Sequence, residues 1–129
     1  MSHVNGEFKN KSIIESFKNA INGICKAVKS ERNLIIHIVA TVIVVTAGII
    51  FRIDLFRWIC LTLVIGFVLV SELLNTAIEK LTDMVTTEYS EQARKVKDIG
   101  AAAVLISAVI SVIVGILIFL QPVIDFFID

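Results

Sequence analysis

The chain of 129 residues is too apolar for an ordinary soluble domain. Hydrophobic residues make up 57% of it and the mean hydropathy is +0.88, whereas soluble domains average about 45–50% apolar residues. Because a soluble domain of this size leaves about a third of its surface in water, many of these side chains would be exposed. We therefore interpret the chain as a membrane protein.

Charge and cysteine content exclude several other classes. Twelve basic and twelve acidic residues balance, so net charge gives no support to a nucleic-acid partner. The two cysteines, Cys25 and Cys60, are isolated thiols without CxxC spacing, and this argues against a zinc site or a disulfide framework.

Residues 8–31 form the first predicted element, an amphipathic helix at the N-terminus. Apolar residues recur at spacings of three and four while lysines fill other positions, which is the pattern of a helix with one apolar face. A lysine-rich helix of this kind is expected to lie on the membrane surface; a helix docked on a partner protein is the alternative. The apolar positions are Ile13, Ile14, Phe17, Ile21, Ile24 and Val28.

Three apolar segments, residues 34–51, 55–79 and 98–120, are predicted to be transmembrane helices. The first has eighteen residues without an acidic, lysine or arginine side chain, and a helix of that length extends about 27 Å, close to the ~30 Å hydrocarbon core. The second begins as an apolar run and keeps a helical pattern through Glu79, so it is predicted to emerge from the bilayer. The third contains twenty-two residues free of charge. The fold class is thus an all-α integral membrane protein in which residues 1–129 form a single domain.

The basic residues predict the topology. Six of the twelve precede the first span and four lie between the second and third, whereas two lie in the first connection and none follows the third span. By the positive-inside rule, the N-terminus and the connection between the second and third spans are cytoplasmic and the C-terminus is outside. We expect a multi-pass protein of the cell membrane.

A polar stripe marks one face of the second transmembrane helix. Glu72, Asn75, Glu79 and Asp83 are spaced so that they share a face about 80° wide, and the opposite face is apolar. Acids inside a membrane span tend to face the bundle interior and to serve function. The structural alternative is that Glu72 marks the end of the span and the lower stripe is a solvated helix face.

Carboxylates at different depths are suited to a metal and phosphate site. Mg²⁺ typically takes one or two protein carboxylates plus substrate phosphates, so Glu79 can hold a metal-nucleotide while Glu72, about 10 Å deeper, reaches a lipid head group. Glu31, just before the first span, lies at the level of Glu79. Lys97 and Asp98 open the third span, where the lysine can neutralise phosphate and the aspartate can hold a metal or a basic partner. An interfacial snorkelling pair is the alternative for these two residues.

Four stretches carry a family pattern, namely residues 16–23, 31–37, 72–83 and 97–105. The third contains E-L-L-N-T-A-I-E, and eighteen residues after its last glutamate the fourth begins K-D-I-G-A-A-A-V-L. This combination is highly specific in a small three-span protein. On these stretches the chain resembles the prokaryotic diacylglycerol kinase family, and within it the undecaprenol kinases of the Gram-positive type.

The resemblance implies an assembly and a reaction. Family members are homotrimers with active sites between neighbouring subunits at the cytoplasmic interface. The implied reaction is phosphorylation of a membrane lipid alcohol by ATP with Mg²⁺, here of undecaprenol to undecaprenyl phosphate. Phosphorylation of diacylglycerol to phosphatidic acid is the alternative within the family.

The resemblance also implies roles for individual residues. Glu72 is the general base, and Glu31 and Glu79 hold the divalent cation and contact ATP. Asn75 and Asp83 support the site. The nucleotide site is lined by Glu88, Tyr89, Ser90, Lys97 and Asp98, and Asn33, His37 and Glu72 face the lipid; a histidine packed in the bundle is the alternative for His37. Asn19 departs from the family pattern, where a tyrosine approaches the nucleotide, because asparagine can hydrogen-bond to a base but cannot stack on it.

Other functions explain fewer of these features. The sequence has neither a P-loop nor the glycine-rich loop of protein kinases, which excludes a soluble-kinase fold and leaves carboxylates, metal and lysine to bind phosphate. A small proton-coupled transporter accounts for Glu72 but not for Glu31, Glu79 and the Lys97-Asp98 pair. A non-catalytic subunit that docks a basic partner on the stripe is the third hypothesis.

Overall fold

The computed structural model describes residues 12–128, which form four α-helices. They are α1 (Ile13–Ser30), α2 (Arg32–Ile50), α3 (Leu55–Val85) and α4 (Glu91–Ile128). Helices α2, α3 and α4 are each long and apolar enough to cross a membrane. The all-helical class with three candidate membrane spans is confirmed. Residues 8–11 of the predicted surface helix lie outside the described residues.

Helix α1 is separated from α2 by a single extended residue. The hydroxyl of Ser12 caps α1 by accepting a hydrogen bond from the Glu15 backbone N–H at 3.1 Å, which satisfies one of the free donors at a helix start. At the other end Glu31 adopts φ −118° and ψ 108°, so the predicted helix over 8–31 ends at Ser30. The first membrane helix then begins at Arg32, two residues before the apolar run.

Helices α3 and α4 are longer than the predicted spans. Helix α3 continues six residues past Glu79, and α4 begins seven residues before position 98 and passes through Pro122 to Ile128. A helix of 38 residues is about 57 Å long, well beyond the ~30 Å hydrocarbon core. The apolar run marks only the part of a helix that fits the bilayer, whereas helical hydrogen bonding continues on both sides.

The main contact in the molecule is between α3 and α4, which run antiparallel; α2 packs on α3 less extensively, and α1 touches both α2 and α3. Ser71 and Ser107 meet across the α3–α4 interface with their hydroxyl oxygens 2.7 Å apart. Ser107 belongs to a row of small residues at every fourth position of α4, which permits close helix approach. The row consists of Ala103, Ser107, Ser111 and Gly115. Near the α2–α3 turn, Ile53, Leu61 and Ile118 form a buried apolar cluster.

The turn between α2 and α3 is held by backbone and capping interactions. Arg52 has a left-handed φ of 50°, and Asp54 caps α3 by accepting a hydrogen bond from the Arg57 backbone N–H at 3.0 Å. That hydrogen bond, together with the Arg57 guanidinium, lowers the pKa of Asp54 below its ordinary value of 3.8. Because folding lowers this pKa, the ionised Asp54 cap contributes its full stabilisation above the ordinary value of 3.8. That stabilisation is lost as the pH falls through the lowered pKa.

Candidate active site

The polar stripe of α3 passes from the interior of the bundle to the solvent. Glu72 and Asn75 are buried, with 2% and 7% of their surface exposed, Glu79 is half-buried and Asp83 is exposed. The stripe therefore links a buried carboxylate to the exposed end of the helix. The exposure of Asp83 agrees with a solvated lower stripe, the structural alternative from sequence, whereas Glu72 and Asn75 lie inside the bundle.

Glu72 is the most enclosed ionisable group of the stripe. Its nearest charged or titratable neighbour across a helix interface is His37 of α2, with Nε2 3.8 Å from Glu72 Oε2. Within the described part of the chain, Oε2 has no hydrogen-bond partner. Because an unsatisfied buried acceptor is destabilising, this oxygen is poised to accept a hydrogen bond from an entering donor, such as a hydroxyl group.

Asn75 connects Glu72 with the lower part of the stripe. Its Nδ2 donates a hydrogen bond to Glu79 Oε1 at 3.2 Å, while its Oδ1 is buried without a partner among residues 12–128. That oxygen points at α4, where a Cβ on Gly100 would lie 2.5 Å from it. Gly100 therefore leaves the space that the Asn75 carbonyl occupies. The motif contains this glycine, but its steric role emerges only from the packing of α3 on α4.

Glu31 reaches α3 from the break between α1 and α2. Its carboxylate accepts a hydrogen bond from the Ser30 hydroxyl at 3.0 Å and forms an ion pair with Lys80 Nζ at 3.1 Å. Lys80 follows Glu79 directly, so the pair brings Glu31 to the level of the stripe. Sequence analysis missed Lys80, because its partner is set by how the α1–α2 junction sits against α3.

The oxygen donors of this region fit a hard divalent cation bound together with phosphates. In residues 12–128 no three His, Cys, Asp or Glu side chains gather as a complete metal cage. Mg²⁺ does not require one, since one or two carboxylates plus substrate phosphates and water complete its coordination. Glu31, Glu79 and the unpartnered Oδ1 of Asn75 supply oxygen ligands of the preferred type. A cation at Glu31 has to compete with the ammonium group of Lys80.

A second feature is an open cleft of about 540 Å³ at the α3–α4 turn, within the roughly 300–1,000 Å³ typical of ligand pockets. Lys97 Nζ lies 2.5 Å from Asp83 Oδ1 across it, and Arg94 Nε lies 3.8 Å from Asp98 Oδ2. The structure thus brings together all five residues that the resemblance assigns to the nucleotide site. The lining consists of Thr82, Asp83, Thr86, Thr87, Glu88, Tyr89, Ser90, Ala93, Arg94, Lys97 and Asp98.

Two predicted site residues lie elsewhere. Asn19 is exposed on α1 and Asn33 is exposed in the first turn of α2, and neither lines the cleft at the α3–α4 turn. Conversely, Arg94, Thr82 and Thr86 line the cleft although no sequence pattern selects them. The sequence could have indicated them only by their position, because each lies within about one helical turn of a selected residue.

Three helices apolar enough to cross a membrane, a buried carboxylate and a cleft with charged side chains at the end of the bundle are the features expected of an enzyme that acts on membrane lipids. A family model described as prokaryotic diacylglycerol kinase matches residues 18–119. The chain belongs to this family and is a lipid kinase, for which ATP is the implied phosphoryl donor. The resemblance derived from the sequence is confirmed.

Individual relatives carry two different substrate names. The chain is 40% identical over 106 residues to the undecaprenol kinase of Bacillus subtilis (strain 168), covering 82% of this chain and 86% of that protein. It is 37% identical over 112 residues to a diacylglycerol kinase of Synechocystis, covering 86% of this chain and 64% of that protein. A diacylglycerol kinase of Escherichia coli (strain K12) is 46% identical over 46 residues, 36% of this chain and 38% of that protein.

Gly100→Ala tests the contact between α4 and Asn75. The new methyl group displaces the Asn75 side chain rather than a backbone, so we expect turnover to fall at least about tenfold, a change of roughly 1.4 kcal/mol in the barrier. The free energy of unfolding should stay within about 1 kcal/mol of that of the parent, because alanine is a better helix former than glycine. Gly66→Ala is the matched control, since nothing lies within 4 Å of a Cβ there. Equal activity of both variants would show that Asn75 does not need its present position.

Proposed function

We propose that this protein phosphorylates undecaprenol with Mg²⁺ and ATP on the cytoplasmic side of the cell membrane. The observation that carries the proposal is the buried, unpartnered carboxylate oxygen of Glu72 at the upper end of the polar stripe. The 40% identity to an undecaprenol kinase over most of both chains supports the substrate. Diacylglycerol is the second candidate, because a relative with that name is 37% identical over 86% of this chain.

Glu72 is the proposed general base. The lipid hydroxyl donates a hydrogen bond to Glu72 Oε2, which has no other partner in the described structure, and its oxygen attacks the γ-phosphorus of ATP. Phosphoryl transfer depends mainly on positioning and charge neutralisation, so a single carboxylate that orients the hydroxyl and takes its proton is sufficient. Asn75 supports the site in which Glu72 acts, because its amide donates a hydrogen bond that holds the Glu79 carboxylate on the same face of α3.

Glu31 and Glu79 are the proposed ligands of Mg²⁺, and the cleft at the α3–α4 turn is the proposed nucleotide site. A bound Mg²⁺ neutralises phosphate charge and orients the γ-phosphate. Lys97 is positioned to add positive charge at the phosphates, and it is held there by Asp83 at 2.5 Å. The remaining proposed nucleotide contacts are Asn19, Glu88, Tyr89, Ser90 and Asp98.

The lipid chain is proposed to lie against α2, with Asn33 and His37 toward its head. A small cavity of about 110 Å³ opens beside His37 between α2, α3 and α4. Its hydroxyl groups are already used, since Thr41 donates to the His37 carbonyl at 2.8 Å and Ser111 to the Ala108 carbonyl at 2.7 Å. The ring N–H of His37 is then the one side-chain donor of this lining that is left, so at least one of the two ester carbonyls of diacylglycerol would lack a partner there. An unpaired buried carbonyl costs about 1–3 kcal/mol, and this favours a prenyl alcohol over diacylglycerol.

A homotrimer is the proposed assembly, with sites completed between subunits. The single chain leaves most of the apolar surface of α2, α3 and α4 exposed, so lipid or further subunits must cover it. Helix α1 also exposes its apolar residues, including Ile13, Ile14 and Phe17, as expected for a helix on the membrane surface. The proposed topology has the N-terminus and the α3–α4 turn in the cytoplasm and the C-terminus outside.

The proposed activity is tested by incubating the purified protein with Mg²⁺ and labelled ATP and either undecaprenol or diacylglycerol. We expect label in both lipids or only in undecaprenol, with kcat/KM at least about tenfold higher for undecaprenol because of the unpaired ester carbonyl. A preference for diacylglycerol would move the assignment to the second candidate. Absence of lipid phosphorylation would leave the transporter or the non-catalytic subunit as the better description.

Glu72→Gln tests the general base. Glutamine keeps the shape but cannot take the proton, so turnover should fall by about 10²–10⁴-fold, while Mg²⁺-ATP binding measured by equilibrium dialysis stays within about twofold. Glu91→Gln is the control: among residues 12–128, Glu91 pairs only with the exposed Lys95, at 3.3 Å, and exposed pairs contribute little. Wild-type turnover in Glu72→Gln would rule out the base assignment.

Glu79→Gln and Glu31→Gln test the metal ligands. Each should raise the Mg²⁺ concentration for half-maximal activity about tenfold, equivalent to roughly 1.4 kcal/mol of binding, and the amide oxygen introduced by Glu79→Gln still accepts the hydrogen bond from Asn75. Lys80→Met removes the competing ammonium group and should lower that concentration by about two- to fivefold, the range of a half-exposed ion pair. An unchanged Mg²⁺ requirement in both glutamine variants would contradict the assignment.

A further inference from the structure

Phosphorylation of an alcohol leaves one proton to be removed. The O–H bond of the lipid breaks, a bond forms between its oxygen and the γ-phosphorus, and the bond from that phosphorus to the leaving oxygen of ADP breaks. In the proposed function, on which this inference rests, the proton goes to Glu72. The side chain of Glu72 is only 3% exposed, so the proton cannot pass directly to bulk water before the next turnover.

His37 is the titratable group placed to take that proton. Its Nε2 lies 3.8 Å from Glu72 Oε2, the same oxygen that has no hydrogen-bond partner in residues 12–128. The side chain of His37 is 22% exposed, so part of the ring lies at the surface of the bundle, five residues from the start of α2. Histidine also exchanges protons readily near neutral pH.

The carboxylates that act near Glu72 and the hydroxyl groups on its α4 side are already engaged, and the unpartnered Oδ1 of Asn75 is an amide oxygen, which does not take up a proton at neutral pH. Glu79 accepts a hydrogen bond from Asn75 at 3.2 Å, and Glu31 is paired with Lys80 at 3.1 Å. On the α4 side, Ser107 meets the Ser71 hydroxyl and also donates to the Ala103 carbonyl at 2.8 Å. The available proton acceptor for Glu72 therefore lies on α2, where His37 is.

We propose that His37 is a positioning and proton-relay residue that returns Glu72 to its ionised form in each turnover. The proton moves from Glu72 Oε2 to the lone pair on Nε2 of His37, and the Nδ1 proton then passes to water, which leaves a neutral ring with its proton on Nε2. Proton exchange with water then moves this proton back to Nδ1, so that Nε2 has its lone pair again for the next turnover. The present 3.8 Å separation is longer than a hydrogen bond. Such contacts tighten when the substrate is bound, or are bridged by one water molecule.

The proposal is tested with His37→Gln and His37→Ala in steady-state assays with undecaprenol and ATP. Glutamine fills similar space and can hydrogen-bond but cannot relay a proton, so kcat should fall by about 10–100-fold with KM for ATP within about twofold. Added imidazole should restore much of the lost kcat of His37→Ala and leave His37→Gln and Glu72→Gln unchanged. A residue with only a packing role would not show this rescue.

Several outcomes overturn the relay. Wild-type kcat in His37→Gln, a rise only in the KM for the lipid, or no imidazole rescue of His37→Ala would each reject it. Thr46→Val is the control on the same helix, because the Thr46 hydroxyl bonds only its own helix, at the Val42 carbonyl, and should leave kcat unchanged. If His37→Ala does not fold, His37→Gln decides the question. An inactive wild-type protein would instead reject the proposed function itself.

Discussion

The burial of Glu72 inside an apolar helical bundle is the constraint on which the rest of the structure depends. An acidic side chain at this depth costs roughly 2–3 kcal/mol or more, and its unpartnered oxygen adds to that cost. Stabilisation comes from elsewhere on the same helices, through the long α3–α4 contact and the apolar cluster of Ile53, Leu61 and Ile118. Good packing near the α2–α3 turn thus offsets an unfavourable group that lies where the proposed chemistry uses it.

The depth of the site follows from how closely α4 approaches α3. Ser107 and Gly100 are small enough for the helix backbones to come together, and each meets a residue of α3: Ser107 meets Ser71, and Gly100 leaves room for the carbonyl of Asn75. Larger side chains here would separate the helices and admit water or lipid. Small residues on α4 therefore determine the electrostatic environment of residues on α3, although they carry no chemistry themselves.

Periodicity predicted the parts of the structure that depend on one helix at a time. The three spans and the shared face of Glu72 and Asn75 follow from 3.6 residues per turn. The ion pairs Glu31–Lys80 and Lys97–Asp83 could not be predicted in this way, because they depend on how two elements are set against each other. The predicted boundary between residues 31 and 34 lies close to the observed break, but the sequence has neither glycine nor proline to mark Glu31 itself as the extended residue.

An all-helical membrane protein also faces a restriction in how it can bind phosphate. Soluble kinases surround phosphates with backbone N–H groups in glycine-rich loops, but beyond the first turns of α2, α3 and α4 those groups are consumed by helical hydrogen bonds, as the bilayer requires. Phosphate charge must then be met by side chains and a cation, which is the chemistry that Glu31, Glu79 and Lys97 offer. The helices are interrupted near the site at only two places in residues 12–128, at Glu31 and at the α3–α4 turn. The candidate metal ligand and the candidate nucleotide cleft lie at these two places. Outside the helices, the backbone can direct polar groups toward a ligand in ways that a regular helix does not allow.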